Sequence, residues 1–345
     1  MNIGDSSQEP RRKQAVLRSA QSSFDFCREL CTVSKVEATM LERTLAILLL
    51  ATSLAAAATR PPQQPKSGTG GAEYAHAAVR ETEHGEKSTQ YWLFEPQQPQ
   101  PKKASLIIFL HGYSAMSPEP YRAWIEHLVR RGNIVVYPRY QENLVTPPAE
   151  YHDNVVQSLR HALEVLAQKG HVAPDLKRLA IVGHSAGGVG AANYTARAAE
   201  EKLPQPAAVM VVHPGQGPKD GIQIVPLDDA STIPATTHLL VVVGDSDAFV
   251  GEASARRIWA RTGKVKDRTF VTVQSDDHGF PTLRANHLAP LAEGHMSTNA
   301  LDWFGYWRLF DEQCTAAFSG KNYTPATGMG AWSDGTPVKP LKIER

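Results

Sequence analysis

Six short apolar runs constrain this chain more than any other feature. They are "ASLIIFLHG" (104–112), "NIVVYPRY" (133–140), "KRLAIVG" (177–183), "AAVMVVHPG" (207–215), "HLLVVVGDSD" (238–247) and "RTFVTVQSDDHG" (268–279). Their apolar cores lack the strict alternation of a strand with one wet face, so they predict strands buried on both sides. Between them lie segments with helical spacing. "PYRAWIEHLVRRG" puts Trp124, Ile125 and Leu128 on one face, and "YHDNVVQSLRHALEVLAQKG" does the same with Val155, Val156, Leu159, Leu163 and Leu166. "GVGAANYTARAAEE" (188–201), "EASARRIWARTG" (252–263) and "LDWFGYWRLFDEQCTAAF" (301–318) complete the helices. "YAHAAVRE" and "TQYWLFEP" open the domain as an antiparallel hairpin turning at Gly85. Such alternation predicts an α/β fold, a mostly parallel central sheet with helices on both faces. Only the tail from Ser319 has turn residues and no period, and it is expected to wrap the surface.

Residues 73–345 read as one domain, preceded by three segments of different character. Residues 1–39 are polar and aperiodic and are expected to be a disordered upstream extension, with translation starting at Met40. Residues 40–58 carry an apolar run from Leu45 to Ala58 broken only by Thr52 and Ser53. It is short for a membrane span of about 20 residues and fits a cleavable signal peptide ending near Ala57 or Ala58. Residues 59–72 form a Pro/Gly-rich spacer. The expected location is therefore secreted or periplasmic, with no stable membrane span in the mature protein. Of the three cysteines only Cys314 would remain after export, so no intrachain disulfide is expected.

With 36 Lys and Arg against 35 Asp and Glu, scattered along the chain, there is no basic footprint for nucleic acid. No Cys/His group has zinc-ligand spacing, and neither Asp228-Asp229 nor Asp276-Asp277 forms a calcium loop. "GQGPKDG" (215–221) lacks the Lys-Ser/Thr of a phosphate loop. No metal or cofactor is expected.

The chemistry concentrates in "LAIVGHSAGG" (179–188). Gly183-His184-Ser185-Ala186-Gly187 matches G-x-S-x-G between a buried strand and a helix, where a serine on a tight turn projects its hydroxyl above the sheet. A serine needs a base and an orienting acid, and in parallel sheets functional groups gather at the carboxyl ends of strands. Asp245 and Asp247 follow one such strand, and His278 follows the next, with His287 in "RANHLAP" a second candidate. His184, His213 and His238 have structural roles open to them as partly buried or loop histidines. Two donors for an oxyanion complete the set: Ala186 N–H after the serine, and Tyr113 N–H in "HGYS" (111–114).

From about Glu73 to Phe318 the chain resembles an α/β-hydrolase, carried by "LHGYS", "GHSAGG", "GDSDAFV" and "DDHG". It is closest to the serine esterases with little or no lid: dienelactone-hydrolase-like, chlorophyllase-like and cutinase-like polyester hydrolases. In that group the acid is the second aspartate of G-x-x-D-x-x-V, which selects Asp247 over Asp245. The expected catalytic residues are Ser185, Asp247 and His278, with an oxyanion hole of Tyr113 and Ala186. The resemblance implies hydrolysis of small or polymeric carboxylic esters through an acyl-enzyme. A peptidase or amidase on the same fold is the alternative, and a non-catalytic binding protein a more distant one. The Ser114–Tyr121 loop and the segment from Pro214 to Pro234 are expected to wall the acyl pocket.

Overall fold

The structure is a computed structural model that describes residues 59–215, 225–292 and 297–345. The expected upstream extension and signal peptide lie outside the described residues. Thr59–Arg345 is one compact unit around a nine-stranded sheet with the order β1-β2-β4-β3-β5-β6-β7-β8-β9. The strands are β1 (Ala78–His84), β2 (Tyr91–Gln97), β3 (Lys103–Leu110), β4 (Asn133–Pro138), β5 (Ala173–His184), β6 (Ala208–Val212), β7 (His238–Gly244), β8 (Asp267–Val273) and β9 (Lys342–Glu344). β1 and β2 form the antiparallel hairpin, β2 pairs antiparallel with β4, and the ladder from β4 through β3, β5, β6, β7 to β8 is parallel.

The apolar runs are continuous because both faces are covered. On β3, Leu106, Ile108 and Leu110 pack into one core, while Ile107 and Phe109 pack into the other. Helices α2 (Tyr151–Leu166), α3 (Ala186–Arg197) and α4 (Ala253–Arg261) cover the first face. Helices α1 (Arg122–Arg130) and α5 (Trp307–Phe318) cover the second. A π-helical turn, Leu301–Tyr306, leads into α5. Such turns carry one residue more per hydrogen-bonded loop than an α-helix and re-aim the side chains they bear.

Two segments behave differently from their sequence patterns. The tail contributes β9, which pairs antiparallel with β8 through Phe270 to Thr272. Three residues at a sheet edge are too few to show a period. The Pro/Gly-rich stretch after Thr59 is docked on the body: Gly70 N–H donates to the buried Asp311 carboxylate at 2.9 Å, and Ser333 N–H donates to Arg60 C=O at 2.9 Å. Cys314 is buried as a free thiol. Among the described residues no helix is long and apolar enough to cross a membrane.

Candidate active site at the carboxyl edge of the sheet

Strand β5 ends at His184 and α3 begins at Ala186, so Ser185 alone makes the turn. Its backbone is held at φ 56° and ψ −120°, a left-handed conformation unfavourable for a residue with a Cβ. The flanking glycines make the turn possible. A Cβ on Gly183 would collide with Gly187 C=O, and one on Gly187 with Leu110 C=O. Ser185 N–H donates to Val212 C=O at 2.9 Å, and Gly188 N–H returns to Ser185 C=O at 2.9 Å. The strain is thus held by hydrogen bonds to both the N–H and the C=O of Ser185.

His287 Nε2 lies 2.9 Å from Ser185 Oγ, and His287 Nδ1 lies 2.8 Å from Asp247 Oδ2. A carboxylate oxygen only accepts, so Nδ1 carries the proton and the Nε2 lone pair faces the serine hydroxyl. Asp247 sits on the turn after β7, where its Oδ1 also accepts from Phe249 and Val250 N–H, each at 3.0 Å. Burial alone would push this carboxyl up; the hydrogen bonds from His213, His287 and Val250 N–H hold it well below the usual carboxylate range. Asp245 points elsewhere and caps the next loop, accepting from Ser275 N–H and Ser275 Oγ.

His278, expected beside the serine, is not there. Its ring is partly exposed and pairs with Asp334 at 2.8 Å on the surface. After β8 the chain forms an antiparallel bridge between Asp276 and Leu283, which carries His278 outward. The chain then returns across the end of β7. Ser246 N–H donates to Ala285 C=O, and the missing side chain of Gly244 leaves room for that carbonyl. His287, two residues on, is the histidine delivered over Ser185.

Two buried histidines that the sequence pattern left in structural roles join the network. His213, directly after β6, bonds Asp247 Oδ2 through Nδ1 at 2.9 Å and Tyr306 Oη through Nε2 at 2.9 Å. His184 Nε2 donates to His287 C=O at 2.8 Å, and its Nδ1 accepts from Tyr121 Oη at 2.7 Å. Burial pushes both rings below the ordinary histidine value, and the Asp247 bond opposes this for His213. The rule that active groups gather at strand carboxyl ends could have flagged His213; nothing local marks Tyr306. His213, Asp247 and His287 also offer three ligand atoms within 4.8 Å of one another. Both Nδ1 atoms are engaged as donors to the carboxylate, so neither presents a lone pair to a cation.

A cavity of about 350 Å³ opens at Ser185, lined by Tyr113, Ala115, Pro120, Phe249, Leu288 and Leu291 among others. Gly215 is the described residue of the segment from Pro214 to Pro234 that reaches it, and the Ser114–Tyr121 loop supplies Ser114, Ala115, Pro120 and Tyr121. Phe249, Leu288 and Leu291 lie outside the two segments expected to wall the pocket. Tyr113 and Ala186 both line the cavity, and among the described residues neither backbone N–H has a protein acceptor. Neighbouring Gly112 N–H is occupied by Tyr121 Oη at 3.0 Å. Two free donors beside a serine can receive a developing oxyanion.

Beneath the site, Asp302 is buried on the π-helical turn and accepts from Asn299 N–H at 2.8 Å. Burial pushes its carboxyl up to about 8. The folded state therefore holds a proton that the unfolded chain releases near 3.8. The stability this proton confers is complete below the lower value. It is lost as pH rises towards the upper one, by up to about 1.4 kcal/mol per pH unit. Asp302→Asn is expected to flatten that decline, read as a smaller fall in Tm between pH 5 and pH 8. Parallel Tm profiles for the two proteins would reject it.

A parallel sheet with a strained serine after its central strand, and with serine, aspartate and histidine in that chain order, defines an α/β-hydrolase. Residues 72–237 match the family model for chlorophyllase, a family of the α/β-hydrolase superfamily of esterases. The matched region contains Ser185 and stops short of Asp247 and His287. A comparison with curated proteins returns no match.

Proposed function

We propose that this protein is a serine hydrolase that cleaves carboxylic esters through an acyl-enzyme. The observation that carries the reading is the unbroken hydrogen-bond path from Ser185 Oγ through His287 to Asp247, with links of 2.9 and 2.8 Å. Ser185 Oγ attacks the ester carbonyl carbon while its proton passes to His287 Nε2. Asp247 holds the ring in the tautomer this needs and stabilises the imidazolium. The carbonyl oxygen, now negative, takes hydrogen bonds from Tyr113 and Ala186 N–H. On collapse the C–O bond to the alcohol breaks and the alcohol leaves with the proton from Nε2. Water, deprotonated by His287, then attacks the acyl-serine; the second collapse releases the carboxylic acid and returns the proton to Ser185.

The cavity supports uncharged substrates. Among the described residues no Lys, Arg, Asp or Glu lines it, and Tyr113, Phe249 and Leu288 are exposed apolar side chains that line it. An apolar acyl or alcohol group would be buried there without stranding a charge. The test is labelling with a fluorophosphonate probe, mapped by peptide mass, alongside hydrolysis of matched neutral esters and amides. A single adduct on Ser185 and turnover of the esters are expected. An unlabelled Ser185 would overturn the mechanism, and amide turnover matching ester turnover would replace the esterase with an amidase.

A further inference from the structure

Asp247 has more partners than an orienting acid requires. His287 and the Phe249 and Val250 N–H groups would suffice to place it, yet His213 shares the same Oδ2, at 2.9 Å against 2.8 Å for His287. His213 is wholly buried, and its backbone φ of 45° lies in the left-handed region, so the chain is bent at the end of β6 to aim this ring. The bend alone would favour glycine or asparagine; a donor to Oδ2 combined with an acceptor for Tyr306 O–H is what singles out histidine. Because Oδ2 accepts only, His213 Nδ1 carries hydrogen, and its Nε2 lone pair must accept from Tyr306 O–H. Tyr306 is brought there by the π-helical turn. The two imidazoles stand at 81° to one another, so their donors approach Oδ2 from different directions while the backbone holds Oδ1.

We propose that His213 is a positioning residue, which rests on the serine-hydrolase reading above. Its hydrogen bond stops the Asp247 carboxylate from rotating and keeps Oδ2 beneath His287 Nδ1, while Tyr306 locks the His213 tautomer that makes the bond. His213 touches no reacting atom. A ring that merely filled space would act on stability alone; this one acts on turnover through Asp247.

The two amide side chains separate these roles, since an Asn amide nitrogen falls near the Nδ1 position and a Gln amide nitrogen near Nε2. His213→Asn keeps a donor for Asp247, and His213→Gln keeps a partner only for Tyr306. With p-nitrophenyl butyrate, His213→Gln is expected to lower kcat by about 10- to 100-fold, the scale seen when an outer partner of a functional group is lost. KM should stay within about threefold, and His213→Asn within about threefold of wild-type kcat, since the donor to the acid is retained. In an Asp247→Asn background His213→Gln should cost less than about twofold, because residues acting through one another are not additive. Wild-type kcat in His213→Gln, an equal fall in both variants, or the same factor in both backgrounds would overturn the proposal. If wild type turns over no faster than Ser185→Ala, the serine-hydrolase reading falls and this one with it. Ser185-dependent turnover that His213→Gln leaves intact overturns this one alone.

Discussion

Alanine at His287 is expected to lower kcat for a neutral ester by about 10⁶-fold, the loss that follows removal of the base from a serine triad. Alanine at His278 should leave kcat within about twofold, as for a surface substitution. The contrast is sharp because the two histidines flank one loop. His287 is buried with both ring nitrogens engaged, one on Ser185 and one on Asp247. His278 spends its ring on Asp334 at the surface. Steady-state kinetics of the two variants, with Tm measured alongside, decides the matter. A large loss in His278→Ala with little in His287→Ala would overturn the arrangement.

Asp247→Asn is expected to cost about 10⁴-fold in kcat with KM nearly unchanged, since the defect is a wrong tautomer and not lost binding. With its oxygen facing the Phe249 and Val250 N–H groups, as Oδ1 now does, the amide presents its NH₂ to His213 and His287 and accepts from neither. Facing that NH₂ group, the His287 ring must turn Nδ1 into an acceptor, and the proton moves to Nε2, where it opposes the serine hydroxyl. Asp245→Asn, whose parent carboxylate caps Ser275, should leave kcat within about twofold, as expected for a group away from the site. A fall of less than tenfold in Asp247→Asn would remove Asp247 from the mechanism. The low folded pKa of Asp247 also has a sign: its ionised form stabilises the fold above the ordinary carboxylate value, and that contribution is lost as pH falls through the folded value.

Each of these groups was legible in the sequence to a different degree. Continuous apolar runs determined the parallel strands, because only strands covered on both faces can be apolar at successive positions. G-x-S-x-G after such a run determined the Ser185 turn, where glycine is required by close backbone approach at Gly183 and Gly187. After β7 the strand-end rule left Asp245 and Asp247 open, and the resemblance to α/β-hydrolases selected Asp247. All three are local: strand, turn and residue lie within a few positions of one another.

Only the tertiary structure decided which histidine meets Ser185, and the reason is the path of one loop. His278 is nearer to its strand, but the Asp276–Leu283 bridge turns it outward, and the packing of Ala285 on Gly244 brings His287 in. Distance along the chain says nothing about such a path. The same holds for Tyr306, 93 positions from His213, and for β9, whose three residues acquire strand geometry from β8. Periodicity in the sequence specified which faces are buried; the contacts between loops, made only once the sheet and helices had packed, specified which side chains share a hydrogen bond above them.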